Sequence, residues 1–407
     1  MKFSSARRII SDGKYLPIVD GLRFLAILPV VFSHLNSRAW NAYKSSEDQT
    51  AQINESIYQF LNIIFPARSG VALFFVISGF ILAMPFLKYY FHGGEKPTLV
   101  RFYKKRLTRL EPPYIIATLM SFFFLCVTLG FLGISKFHEV NGYTLFQSLT
   151  ASLLYLHGTL LQELPHIIPV AWSLEIEFQF YILAPFLFHI YSKQKKITNR
   201  LLVGFFSMLL SMALSNRLLE YVNPDAIRFS LIRYIGLFIL GCIVCDVFLK
   251  LKILEANAKK YFWDIVFIFS FVTVAVTDAF MRDYRRPIDI PLELLRFVAF
   301  SGVFFGCFLG KISSKIFSTH VLSLIGGMCY TIYLLHLPIQ QVLVPKLVSV
   351  LLLSSYLKIF FLSAFIILPV TLSICFAFYY FIERPCMRSD WPKNLLYSVK
   401  RYKFFNS

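Results

Sequence analysis

Ten runs of mostly apolar residues recur along this chain, near 18–36, 70–88, 112–133, 169–191, 199–216, 230–249, 262–280, 292–310, 319–341 and 356–382. Each is long enough to cross a bilayer as a helix. In hydrocarbon every backbone N–H and C=O must find a partner, and a segment of this length does so within itself as a helix. The overall balance agrees, because 57% apolar residues and a mean hydropathy of +0.64 over 407 residues exclude a soluble domain. No repeat, low-complexity tract or flexible linker divides the sequence. The expectation is an all-α polytopic membrane protein of about ten transmembrane helices, one domain over 1–407 with its core at 16–385 and a cytoplasmic tail at 386–407.

Basic residues set the orientation, since Lys and Arg accumulate in short cytoplasmic loops. With the N-terminus inside, 27 of the 41 Lys and Arg fall on the cytoplasmic side, 11 on the opposite side, and three (Arg23, Arg233 and Arg296) within spans. Both termini are therefore expected in the cytoplasm. The net charge of +19 follows from that topology and from contact with anionic headgroups; dispersed over six loops, it does not make a groove for nucleic acid. Seven cysteines lie in spans or on the cytoplasmic side and imply no disulfide framework. Cys242 and Cys245 have CxxC spacing, but in an apolar helix without a second pair or a nearby His they read as packing. The first run is too long for the core of a cleavable signal and no small-residue cleavage pattern follows it, so it is expected to be an uncleaved anchor. At 143–161 an apolar patch is interrupted by Ser, Thr and Gln. A re-entrant or interfacial helix is expected there, an eleventh span being the competing reading.

Ionisable residues inside the runs carry the functional content. Arg23 and His34 are eleven residues apart, about three turns along nearly one helix face. An Arg in hydrocarbon costs roughly 2.5 kcal/mol or more, and such residues usually face a bundle interior or a wet cavity. A plainer account has Arg23 snorkelling or pairing with Asp20, and His34 at headgroup level. By helical rise, His34 and His336 lie about 24 and 25 Å from the inner ends of the first and ninth spans, and Glu175 and Glu177 about 9 to 12 Å below the outer face. Arg233, Asp278 and Arg296 fall near outer ends. Six helices thus offer acids, bases and cations at comparable depth, as a buried acid–base site facing an external acceptor requires. An ion-pair network holding the bundle together is the structural alternative. His189 and His320 lie at inner ends and no HExxH-like pair is present, so no metal site is expected.

The second cytoplasmic segment contains Arg106 and Arg109, three residues apart. On a helix they present two guanidinium forks to one side, suited to bidentate phosphate binding, although a basic flank beside a span is also an ordinary positive-inside anchor. Pro112 and Pro113 are expected to mark the first turn of the third span.

Six short motifs then stand in order between 16 and 385: Asp20-Gly-Leu-Arg23 with His34; Leu73-Phe-Phe-Val-Ile-Ser78-Gly79-Phe; Arg106-Leu-Thr-Arg109; Trp172-Ser-Leu-Glu-Ile-Glu177-Phe-Gln-Phe-Tyr181; Tyr330-Thr-Ile-Tyr-Leu-Leu-His336; and Ile382-Glu-Arg-Pro385. Together they resemble the membrane acyltransferase-3 family. The resemblance implies an integral enzyme of the plasma membrane, in bacteria the inner membrane, with no permanently bound cofactor. Such an enzyme takes an acyl group, usually acetyl, from cytoplasmic acyl-CoA and esterifies a hydroxyl of an extracytoplasmic or lipid-linked glycan, such as a polysaccharide or lipopolysaccharide. By matching position, Arg23 and His34 correspond to the family's essential Arg and His, Arg106 and Arg109 to its acyl-CoA-binding RxxR, and Glu177 to its motif Glu. Glu175 falls at a variable position. Some members add a hydrolase-like extracytoplasmic domain. With 24 residues after Glu383, such a domain is not expected here, which raises the question of a separate extracytoplasmic partner.

The expected chemistry places the nucleotide phosphates on Arg106 and Arg109 at the inner face and threads the pantetheine arm past Arg23 to His34. His34 then acts as general base or, as the lesser reading, as a transient acyl carrier. Glu177 is expected to orient the imidazole or stabilise its protonated form. Asp20, Trp172, Ser173 and His336 are expected near the substrate, His336 in a supporting or packing role. The rival from another class is a transporter or flippase for a lipid-linked sugar, which predicts inverted halves with matched broken helices; no such symmetry is seen.

Overall fold

The computed structural model describes residues 16–44, 51–253, 260–281, 286–388 and 391, which form helices and connecting turns, with no strand among them. The chain opens with α1 (Pro17–Lys44), α2 (Ala51–Ile64), α3 (Ala67–Phe91) and α4 (Leu99–Asn141). The short α5 (Leu145–Leu153) and α6 (His157–Leu161) precede α7 (Trp172–Ser192) and α8 (Ile197–Leu218). Then come α9 (Pro224–Arg228), α10 (Leu231–Ile253), α11 (Lys260–Phe280), α12 (Ile290–Leu309), α13 (Ile312–Phe317), α14 (His320–Gly327) and α15 (Cys329–Leu351). The last crossing is α16 (Tyr356–Leu362), α17 (Leu368–Phe378) and α18 (Arg384–Cys386), joined by π-helical turns at Ser363–Ile367 and Tyr379–Glu383.

Among the described residues, nine helices or joined runs of helices are long and apolar enough to cross a membrane. The protein is an all-α polytopic membrane protein. Helix α7 is absent from those nine because Glu175, Glu177, Gln179 and His189 make it less apolar, and its contacts show where it sits. Tyr103 on α4 donates to Ile182 O at 3.1 Å, and Ser173 at the start of α7 bonds Tyr333 on α15 at 2.7 Å. The first turn of α7 therefore lies about 15 Å above the level of Tyr103, well inside the bundle. The segment before it supplies the missing part of the crossing: α5 and α6 have nine and five residues, too few to span, and they dip to Tyr114, whose hydroxyl donates to Ser152 O at 2.8 Å. A re-entrant element, not an eleventh span, thus occupies 143–161. One face of this element packs into the bundle through Ser148, Ser152, Tyr155 and His157, while Phe146, Leu154 and Leu160 face outward.

Small residues bring the central helices together. A side chain at Gly79 would collide with the Phe238 backbone, and one at Gly241 with the Val76 backbone, so α3 and α10 meet main chain to main chain. Helix α1 packs between α3, α14 and α15, burying Leu22, Ala26, Ile27, Val30 and Leu35. Large apolar side chains on α4, α8 and α11, among them Phe123, Val127, Leu210 and Phe269, face outward, as a lipid-contacting surface requires.

Two sequence boundaries are corrected. The ninth span begins at Cys329 and not near 319, because the chain breaks at Met328 after Gly326, where α14 lies so close to the Asp20 backbone that a Cβ would not fit. Pro112 and Pro113 lie inside α4, which starts at Leu99, not at the first turn of a span. Proline at 112 removes the N–H that would have bonded Thr108 O. That carbonyl accepts instead from the Trp391 indole Nε1 at 2.9 Å, so the helix runs on through the prolines.

Candidate active site

Two histidines from distant parts of the sequence meet in the bundle. His34 Nδ1 on α1 lies 2.9 Å from His336 Nε2 on α15, and His336 Nδ1 lies 2.7 Å from Ile332 O one turn back. His336 is fully buried, while His34 remains partly exposed. Around them stand Arg38, one turn beyond His34 on α1, and Tyr333, whose ring lies 6.2 Å from that of His336. The Tyr333 hydroxyl donates to Val170 O at 2.9 Å and bonds Ser173 at 2.7 Å, tying the start of α7 to the His336 turn. Trp172 packs instead toward Tyr234 and Phe229, with ring separations of 5.7 and 6.5 Å.

A second polar group lies further along the bundle. Arg106, Glu111, Tyr155, Glu177, Tyr181 and Tyr330 line a cleft enclosing about 320 Å³ of free space, its open mouth included. The Arg106 guanidinium sits 3.7 Å over the Phe102 ring and donates from Nη1 to Phe102 O at 2.8 Å. The Nε atoms of both Arg106 and Arg109 are buried without a hydrogen-bond partner. The separation of the two groups follows from the Tyr330 hydroxyl, which donates to Leu110 O at 3.0 Å. His336 is six residues above Tyr330 on α15, and Arg109 and Arg106 are one and four residues below Leu110 on α4. By helical rise the arginines lie about 10 and 15 Å below the histidine pair.

Glu177 belongs to this second group. Its carboxylate accepts from Ser78 of α3, and it shares the cleft with Arg106. It is one turn below Ser173 and about 10 Å from the level of His336, so it does not orient the His34 imidazole as the sequence suggested; His336 occupies that position. Arg23 pairs with the buried Asp20 at 2.5 Å, some 16 Å from His34 on the same helix, which is the plainer of the two arrangements expected for it. Glu175 accepts from Gly158 N at 2.8 Å and braces the re-entrant turn.

The residues expected at one depth on six helices therefore do not form one constellation. Asp278 on α11 accepts from Ser69 on α3 at 2.7 Å, Arg296 pairs with Glu293 within α12 at 2.6 Å, and Arg233 on α10 donates to Arg286 O, in the turn before α12, at 3.1 Å. Sequence reasoning gave no role of their own to Tyr333, Ser78, Glu111 and Arg38. Tyr333 was within reach, since its spacing of three from His336 puts both on one helix face. Ser78 stands in one of the six motifs, but only packing brings it to Glu177, and Glu111, five residues after Arg106 on α4, joins the cleft that packing closes around both. No disulfide joins any of the seven cysteines.

The arrangement is that of a membrane-embedded bundle with an imidazole pair at one level and an arginine-lined cleft at another. Residues 16–380 match the acyltransferase domain family, acyltransferase-3, and the chain belongs to it. Among curated proteins it is similar to O-acetyltransferase OatA of Staphylococcus aureus (strain NCTC 8325 / PS 47), 25% identical over 350 residues, covering 80% of this chain and 51% of that protein. It is also similar to peptidoglycan O-acetyltransferase OatA of Listeria monocytogenes serovar 1/2a, 26% identical over 351 residues, covering 82% and 51%. The chain spans about half the length of these relatives. No solved structure matches it. Its helices and its family make it an integral protein of the bacterial plasma membrane.

Proposed function

We propose that the chain is an O-acyltransferase that moves an acyl group, acetyl by analogy with its relatives' names, from cytoplasmic acyl-CoA to a glycan hydroxyl on the outer side of the membrane. The observation that carries this reading is the stacking of two sites in one bundle: buried, unmatched guanidinium nitrogens on Arg106 and Arg109 about 10 to 15 Å below a partly exposed imidazole. Phosphates of the donor bind the two forks, and the pantetheine arm rises to bring its thioester to His34, while Arg23, about 16 Å below that imidazole, stays paired with Asp20 at the level of the phosphates. The nine apolar crossings, with the composite crossing of α5 to α7 as a tenth, return the chain to its starting side, in keeping with both termini in the cytoplasm and the arginine cleft facing the donor pool.

In the transfer the acceptor hydroxyl oxygen bonds to the thioester carbonyl carbon as the C–S bond breaks. The His34 nitrogen turned away from His336 takes the hydroxyl proton and returns it to the departing CoA thiolate, leaving an ester and free CoA. Glu177 and Ser78 hold the cleft around Arg106, and Ser173, with Trp172 beside it, ties the start of α7 to the His336 turn through Tyr333. The acceptor is a surface glycan, peptidoglycan being the polymer named for one relative. Because those relatives are about twice as long, a further extracytoplasmic domain or partner completing the transfer is part of the proposal.

Membranes bearing the protein, supplied with acetyl-labelled acetyl-CoA, are expected to label a glycan product. His34→Ala is expected to lower turnover by roughly 100-fold or more, and Arg106→Ala to weaken use of the donor. Full activity of both variants at matched abundance, or label remaining in acetyl-CoA, defeats the assignment. The second outcome would favour a transporter, which forms no covalent product.

A further inference from the structure

Which nitrogen of His34 is free to take a proton is decided by its neighbour. His336 Nδ1 lies 2.7 Å from Ile332 O. A carbonyl oxygen only accepts, so His336 Nδ1 carries the hydrogen. In the neutral ring Nε2 is then a bare lone pair, and it lies 2.9 Å from His34 Nδ1. That contact requires His34 to donate. His34 Nδ1 thus holds its hydrogen, and His34 Nε2 is left as the basic nitrogen.

We propose that His336 is a positioning residue for acyl transfer: through the chain from the Ile332 carbonyl to His336 to His34, it holds the base in its reactive tautomer and orientation. The inference rests on the reading of His34 as general base. A buried carboxylate does this work in hydrolase triads; here a second, neutral imidazole does it. When His34 takes the acceptor's proton, the 2.9 Å bond lets both rings share it. Proton transfer to His336 Nε2 leaves His34 Nδ1 as acceptor and His336 as an imidazolium that still donates to Ile332 O. The fold holds the pair from both sides. Three residues before His336, Tyr333 is fastened to Val170 and Ser173; four residues after it, Gln340 donates to Val31 O of α1 at 3.3 Å. Full burial of His336 leaves no room for water to substitute for either bond.

Side chains of graded reach at position 336 separate this role from packing. In His336→Gln the amide oxygen takes the place of Nε2 and can accept from His34; in His336→Asn it falls short; in His336→Leu the volume is filled without a polar atom. With each variant present in membranes at wild-type abundance, acetyl transfer from acetyl-CoA is expected to stay within about tenfold for His336→Gln. For His336→Asn and His336→Leu, kcat is expected to fall about 100-fold or more with the donor KM unchanged. A packing role predicts that Leu serves as well as Gln, so equal activity of the two, whether both high or both lost, overturns the proposal. His34→Ala, run alongside, keeps the two readings apart. An active His34→Ala removes the base itself, whereas an inactive His34→Ala with an active His336→Leu removes only the positioning role.

Discussion

At Arg106 the guanidinium lies over Phe102, uses Nη1 on the Phe102 carbonyl and keeps Nε buried without a partner. Such a group is costly to leave unmatched, and a planar fork beside an aromatic face suits a phosphate better than it suits bulk water. Lysine would keep the charge and lose both the fork and the stacking. Arg106→Lys is therefore expected to raise the donor KM about tenfold or more while leaving kcat nearly unchanged, read from initial rates against acyl-CoA concentration; an unchanged KM would remove Arg106 from the donor site. Single residues were the most legible level of this protein. Arg106, Arg109 and His34 stand out by residue type and spacing alone, because ionisable groups are rare in apolar runs. Glu177 stood out equally, yet its neighbours did not, since nothing local says that α3 will bring Ser78 to it.

Among the elements, α4 shows how a helix survives two prolines. The carbonyl of Thr108, deprived of its partner by Pro112, is taken up by the Trp391 indole, which fastens residue 391 beneath the segment carrying Arg106 and Arg109. Trp391→Phe is expected to destabilise the detergent-solubilised protein by about 1 kcal/mol, as a half-buried acceptor loses its donor. Pro112→Ala restores the backbone N–H, so the same Trp391 substitution is expected to cost clearly less in that background. A double-mutant cycle from thermal unfolding tests this, and additive effects would refute the pairing. The crossing made by α5, α6 and α7 is the element that sequence reasoning resolved least. Its polar interruptions indicated a re-entrant piece, but α7 read as a full span starting at the outer face. Placing its first turn at mid-depth required the bonds to Ile182 and Tyr333, which link residues far apart in the chain.

Across the whole molecule, two sites stacked along the bundle need the arginine cleft and the histidine pair to face opposite sides. A cysteine placed at Lys195, in the turn between α7 and α8, is expected to react with a membrane-impermeant maleimide only in inverted vesicles. One placed at the exposed Tyr221, beyond α8, is expected to react only in intact cells. The reverse pattern would turn the donor cleft outward and end the proposed route. Amino-acid order alone determined the helical class, the number of crossings to within the composite one, and the residues able to carry charge inside lipid, because hydrocarbon penalises an unmatched polar group wherever it falls. Which of those residues meet was decided only by tertiary packing. Partners such as His34 and His336 are separated by some 300 residues, and their contact depends on how α1 and α15 are rotated about their axes, a quantity set by small-residue contacts such as Gly326 against Asp20 and visible in neither helix by itself.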